Sequence, residues 1–363
     1  MIEYIKKLFG LIPKVIKPGA LEDRPDPRDW KWEEFAPAFA PFEWEKGFDI
    51  EVELRKRLNN PNFSLPIKDQ GSSSSCGGQA WATYGSVLEA IVTGTPEERS
   101  SKFIYAQTHV SAGGSSGRDN NKLVQDQGWG LEPLTPSYMG VALPTETFMR
   151  QVQDITDLAR SKASKARAVS YASVNAFDID AIAQAIHANY GAIIGYIGVN
   201  NGTAREIYPV PPREQEMPYT WRHFVYAGKA SMQNGKKAIG IFNSWGRRVG
   251  VNGWQWFTED YFKSGRVWYA NTIIFNTSIP QEESFKHEFL VNMKFGDENE
   301  EVRALQNALQ ITGDFPANVK PTGYYGTITA NAVYKFQLRN VISIPDRNNA
   351  GPKTRGALNA LFK

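Results

Sequence analysis

The chain contains one cysteine, Cys76, and four histidines, at positions 109, 187, 223 and 287. A thiol does chemistry only as its thiolate. It also needs a base to take its proton, a group to orient that base, and donors for an oxyanion. A lone cysteine is by default a small buried apolar residue, so its surroundings must decide. Those surroundings read LPIKDQGSSSSCGGQAWATYGSVLEAI. After Cys76, residues Ala80, Trp81, Tyr84, Val87, Leu88 and Ile91 fall on one helical face, which places Cys76 at a helix N-terminus. There the helix dipole and free N–H groups favour a thiolate and lower the thiol pKa. Gln70, six residues upstream in a Gly/Ser-rich loop, can offer a side-chain N–H to an oxyanion beside the backbone N–H of Cys76.

The histidines differ in setting. His187 lies on the amphipathic stretch AIAQAIHANY and reads as a helix-surface residue. His109 follows the helical stretch FIYAQTHV and reads as structural or exposed, and His287 lies in a linker. His223 opens the strand-like HFVYAGKA, and Asn243 follows 20 residues later in IFNSWG. Adjacent strands would set an imidazole beside an amide, and the amide oxygen would fix the ring's tautomer. On residue type and position alone, the pair reads equally as ordinary strand polar residues.

The elements that must position these groups follow from periodicity and turn signals. Residues 65–276 read as the main domain. Helical patterns follow Cys76, and a helix over 178–189 leads to the strand AIIGYIGV. Two apolar runs are then split by Gln233-Asn234-Gly235, an Asn-Gly hairpin signal. Helices first and strands later predict an α+β domain. Residues 1–64 form a separate N-terminal segment. Ile2, Ile5, Phe9, Ile12 and Ile16 predict a basic amphipathic helix up to about residue 17, and a Pro- and Trp-rich irregular wrap follows. That helix can be a packed arm, a membrane-surface helix or an inhibitory, pro-segment-like element. A linker covers 277–288. In 289–363 a motif Gly-x-x-Thr-x-x-Ala-aliphatic occurs twice, from Gly326 and from Gly351, and with a helix over 299–311 it predicts a small all-α three-helix domain.

Composition narrows the function classes. At 41% hydrophobic and 22% charged residues the chain is globular. The net charge is +3, without the clustered basic residues of a nucleic-acid binder. One cysteine excludes an intramolecular disulfide, no apolar run reaches transmembrane length, and the N-terminus lacks a clear signal peptide. Synthesis in the cytoplasm is expected, with delivery by another route. No residue cluster calls for a metal or cofactor.

With these residues in view, DQGSSSSCGGQAWA resembles the nucleophile segment of the papain family of cysteine peptidases. NSWGRRVGVNGWQWF is similar to that family's Asn-Ser-Trp-Gly segment, and the order Gln, Cys, His, Asn matches. The resemblance covers residues 65–276, and its disulfide-free form looks like microbial and viral members. It implies a two-lobed fold, one lobe helical and one an antiparallel, barrel-like sheet, with the cleft between them. It also implies that Cys76 is nucleophile, that His223 is general base and acid, and that Asn243 orients His223. Gln70 would build the oxyanion site, Trp245 would shield the His–Asn bond, and Gly113 and Gly114 would line the substrate cleft. The sequence departs from the pattern at Ser73, where a cysteine is usual, and at Gly77, where a tryptophan is usual. Phe224 replaces a small residue after the histidine and would crowd the pocket that selects the substrate side chain.

Residues 289–363 resemble the three-helix peptidoglycan-binding domain through Gly296-Asp297, Leu305-Gln306, Thr322-Gly323-Tyr324-Tyr325-Gly326 and Phe336-Gln337. The implied wall-binding residues are Asp297, Tyr324 and Tyr325. The expected function is therefore a cysteine endopeptidase addressed to bacterial cell wall, acting there, outside the cell or on a virion. Two alternatives stand beside it: a phage-type lytic enzyme cutting peptidoglycan peptides, and a non-catalytic wall-binding or virion structural protein.

Overall fold

The computed structural model describes residues 19–23, 29–138, 140, 142–168, 170–274, 285–312, 314–316, 319–340 and 348–362. The helix expected before residue 18 and most of the expected linker lie outside the described residues.

Ten strands are present among these residues: β1 (Ala20–Leu21), β2 (Trp30–Lys31), β3 (Phe48–Asp49), β4 (Ser115–Ser116), β5 (Ser170–Ser173), β6 (Ala192–Gly198), β7 (Trp221–Gln233), β8 (Lys236–Phe242), β9 (Trp254–Thr258) and β10 (Val267–Ile274). Eight of them make one sheet in the order β2-β5-β10-β6-β7-β8-β9, with β3 on β7. All its pairings are antiparallel except β2 with β5. The β7–β8 hairpin turns at Asn234 and Gly235, whose φ angles of 51° and 74° are the left-handed values a two-residue turn requires.

The helical lobe is built on helix Cys76–Thr93, with helices Ile50–Arg57, Ser101–Thr108 and Gly117–Asp126 around it. Its Cys76 end is glycine-rich for a steric reason. A Cβ at Gly77 would sit 2.4 Å from Ser115 Oγ, and one at Gly78 would sit 2.5 Å from the Ser101 carbonyl oxygen. Side chains alternate along β7. Phe224 and Tyr226 face the core shared with Trp81, Tyr84 and Cys76. Val225 and Ala227 face the other core, with Ile182 and Ile186 of helix Ile179–Asn189.

The tail forms three helices, Glu300–Ile311, Thr327–Arg339 and Pro352–Phe362. Gly326 is the N-cap of the second and Pro352 opens the third, as the repeated motif predicts. The tail packs on the N-terminal wrap. Asn331 Nδ2 donates to Glu34 Oε2 at 2.9 Å, and the Lys335 ammonium lies 3.7 Å above the Trp30 ring.

Candidate active site

Helix Cys76–Thr93 and strand β7 bring the two chemical halves together. The backbone N–H groups of Phe224, Gly77 and Cys76 itself lie close enough to favour the charged form of the Cys76 thiol, so the helix N-terminus abuts the residue that follows His223. Continuing the register Tyr226↔Phe242 sets Trp245 opposite His223, with Asn243 diagonal on the same face. Cys76, His223 and Asn243 are each at most 1% exposed.

The imidazole's tautomer follows from a chain of donors. Gln255 Nε2 donates to the carbonyl oxygens of Ala204 and Glu206 at 3.1 and 2.7 Å, so its Oε1 is the acceptor. Asn243 Nδ2 donates to that Oε1 at 2.8 Å. Asn243 Oδ1 is thereby left to accept the Ser244 N–H at 2.8 Å and His223 Nε2 at 3.0 Å. Nε2 therefore carries the proton, and Nδ1 holds the basic lone pair. Nδ1 is buried and has no hydrogen-bond partner among the described residues, so no bond to the sulfur is formed in this state. Trp245 lies over the imidazole with centroids 4.4 Å apart, covering the His–Asn contact from water. Gln255 lies within the segment NSWGRRVGVNGWQWF, where no role attaches to it from the sequence. Its only signal is a polar residue at an inward position of a strand, and it is fully buried there.

Gln70 is equally fixed. Its Oε1 accepts from Ser244 Oγ at 2.7 Å, and its Nε2 donates at 2.9 Å to the carbonyl of Ser73, in the loop that precedes Cys76, leaving one N–H outside these two bonds. That loop is clamped. Glu146 accepts the Ser74 N–H at 2.7 Å, the Tyr105 hydroxyl at 2.7 Å and Arg150 Nε at 2.6 Å. The Tyr105 oxygen in turn accepts the Gly114 N–H at 2.9 Å. Burial raises the Glu146 carboxyl pKa, but the Tyr105, Ser74 and Arg150 hydrogen bonds outweigh it and hold the group below its ordinary value. The carboxylate thus joins the loop before Cys76 to the glycine loop, and Ser73, where the papain pattern usually has a cysteine, bonds locally, to Gln70 O and Ser75 Oγ.

The expected reactive thiol is corrected by one further element. Gly19 lies across the sulfur: its N–H donates to the Arg222 carbonyl at 3.3 Å, and its carbonyl accepts the Ser115 N–H at 2.9 Å. A Cβ on Gly19 would come 2.7 Å from Cys76 Sγ and 2.3 Å from the Ser74 carbonyl oxygen. Strand β1 continues from it, parallel to β4. Gly113 and Gly114 have φ of 96° and 87°; Gly114 lines this strap, where a Cβ would sit 2.7 Å from the Gly19 oxygen, while Gly113 faces Ser74 and Arg150. Burial pushes the Cys76 thiol up to about 12, beyond what the three N–H donors recover, and holds His223 down to about 3 against the Asn243 bond. Both groups are neutral at pH 7.

A histidine held below its ordinary 6.5 favours the folded chain above that pH, and the contribution is lost as pH falls from about 6.5 toward 3. The thermal midpoint of the wild type is therefore expected to fall more steeply through this window than that of His223→Gln. Parallel curves would contradict the assignment.

The other histidines stay outside the site. His109 Nδ1 meets the Tyr105 and Ala106 carbonyls, His187 is exposed against Phe42 and Phe48, and His287 meets Glu301. In the tail, Tyr325 is corrected from a wall-binding candidate to a core residue. It is 0% exposed, and its hydroxyl donates to the Asn348 carbonyl at 2.7 Å. Asp297 closes a turn by accepting the Lys294 N–H at 2.8 Å, and Tyr324 is 45% exposed.

A helical lobe carrying the cysteine, apposed to an antiparallel lobe carrying the histidine and asparagine, defines the papain-like fold. The chain shares that fold with xylellain, a cysteine protease from Xylella fastidiosa (TM-score 0.55, 19% identity, over 70% of this chain and 95% of that one). It is similar as well to the digestive procathepsin L2 proteinase of the Tenebrio molitor larval midgut (0.54, 16%, 75% and 87%) and to proCathepsin B S9 of Trypanosoma congolense (0.50, 13%, 75% and 96%). Residues 298–358 match the family model described as a peptidoglycan binding domain. Comparison with curated protein sequences gives no match. No described helix is long and apolar enough to cross a membrane.

Proposed function

We propose that the chain is a cysteine endopeptidase, made in a covered form and addressed to bacterial cell wall by its three-helix tail. The observation that carries the reading is the oriented pair His223–Asn243, whose free Nδ1 belongs to the strand that meets the Cys76 sulfur. Once water enters, the thiol proton passes to Nδ1, and Asn243 and Trp245 hold the resulting imidazolium in place. The thiolate attacks a peptide carbonyl carbon. The Cys76 N–H and the remaining Gln70 N–H receive the oxyanion. His223 returns the proton to the departing amine, and water then hydrolyses the thioester.

Residues 19–21 support the covered form. They fill the cleft as a strand, and Glu22 pairs with Arg222 at 2.8 Å beside the catalytic histidine. A complete set of Gln70, Cys76, His223 and Asn243, braced by Gln255, speaks against a non-catalytic protein, because a relic site is free to lose any member. The tail's family supports an address on peptidoglycan, with Tyr324 as the exposed candidate contact.

The reading predicts that a peptidyl epoxide, an irreversible cysteine-directed electrophile, labels Cys76 once the strap is displaced. His223→Ala should slow that labelling by roughly a hundredfold or more, in line with general-base contributions. Labelling that ignores His223 would refute the pairing. Loss of turbidity of purified cell walls, absent in Cys76→Ala, would assign the lytic variant of this activity.

A further inference from the structure

The strap over Cys76 and the contact surface of the tail lie close together in one N-terminal segment. Strand β1 pairs with β4 over two residues only, Ala20 with Ser115 and Leu21 with Ser116. So short a pairing holds weakly by itself. Two carboxylates beyond it share one anchor. Asp23 accepts the Arg118 N–H at 2.8 Å, and Asp29, six residues on, takes the Arg118 guanidinium. Trp30 follows at once. It pairs with Ala172 in β5, and its carbonyl accepts Ser173 Oγ at 2.9 Å.

Strand β2 ends the large sheet, and an end strand needs a cover. The second tail helix, Thr327–Arg339, supplies one. Its Asn331 and Lys335 are one turn apart and so share a face. The Lys335 amino group lies 3.7 Å over the Trp30 ring, and Asn331 Nδ2 donates to Glu34 Oε2 at 2.9 Å. Asp29 and Glu34 are both within electrostatic reach of Lys335. Trp30 and Phe35 belong to one apolar cluster with Ala332 and Phe336 of that helix. Asp29 therefore stands between the tail and Arg118, and Arg118 holds the residue that follows the strap.

We propose that the tail is the latch of the strap: docked on Trp30 and Glu34, it holds residues 19–23 over Cys76, and its departure frees them. The closed strap draws on the wrap for the stability that two β pairs lack, and the wrap draws on the tail. Whatever favours the undocked tail shifts the strap toward its open state by the same differential free energy. The domain that gives the chain its address thus also sets access to the sulfur. The inference rests on the covered form proposed above.

The test is the rate at which iodoacetamide alkylates Cys76 in the full chain, followed by mass spectrometry. Asn331→Asp sets a carboxylate against Glu34, and Lys335→Glu sets one against the Trp30 ring and Asp29. Each is expected to speed alkylation about tenfold, the scale of a lost hydrogen bond to a charged group. Adding Glu34→Gln to Asn331→Asp restores a hydrogen bond across the contact and should return the rate to that of wild type. An acceleration that Glu34→Gln leaves in place reports general loosening and overturns the latch. Lys335→Glu keeps the test intact should Asn331→Asp not fold. Wild-type rates in both tail variants, with Gly19→Leu accelerated, overturn the latch alone. A wild-type rate in Gly19→Leu as well overturns the covered form and this inference with it.

Discussion

Replacing Cys76 with alanine is expected to leave the chain folded and to lower its hydrolysis of a denatured protein by at least about 10³-fold, as nucleophile deletions do. The chemistry has no substitute for the sulfur. Cys76 is the only cysteine in the chain, so no second thiol can take its place. The structural cost is small by comparison. The sulfur is fully buried, its removal opens a space of about one atom, and losses of that kind run near 1 kcal/mol. The thermal midpoint should therefore shift by a few degrees while the rate collapses. Retained cleavage in the alanine variant would sink the nucleophile assignment. Combining the change with His223→Ala should add little, because the two residues act as a unit.

The second large effect runs the other way. Gly19→Leu is expected to speed alkylation of Cys76 in the intact chain, and its initial rate of hydrolysis, by roughly fivefold to a hundredfold. The range follows from an overpacking cost of about 1–3 kcal/mol placed on the covered state alone. The two atoms in the way, Ser74 O and Cys76 Sγ, cannot swing aside as a flexible side chain would. The Ser74 oxygen is backbone, in a residue whose N–H is held by Glu146, and the sulfur belongs to a fully buried side chain at the start of a helix. The strap must therefore leave when the residue grows. Release uncovers His223 and Cys76 together, and solvation moves both pKa values back toward their ordinary range, where an ion pair can form. Equal alkylation rates for wild type and variant would show that Gly19 does not limit access.

Much of this site was legible in the residues alone. Helical periodicity after Cys76, the Asn-Gly turn and the spacing from His223 to Asn243 are local signals, and the structure bears out the elements they predict. The repeated Gly-x-x-Thr motif likewise marks two of the tail's three helices. What stayed hidden depends on contacts between distant residues. Gln255 looked like one polar residue in an aromatic strand, and its role arises only because β8 and β9 pair. Glu146 and Tyr105 lie 41 residues apart, and nothing near either suggests that together they clamp the loops on two sides of the cleft. Tyr325 shares its polar, aromatic type with Tyr324, and only packing separates a core ring from an exposed one.

Cys76 shows where the division falls. The sequence by itself determined its place at a helix N-terminus, its partners by type and order, and hence the class of chemistry, because helix caps and strand pairs are written in short-range patterns. It also predicted a lowered thiol pKa, since a helix dipole is a local property. Tertiary structure reversed that. The pairing of residues 19–21 with 115–116 spans almost 100 positions, so no local pattern announces it, and the burial it imposes on the sulfur outweighs the N–H groups beneath. The identity of the proposed nucleophile was local information; whether its sulfur is open to react was decided by the segment folded over it.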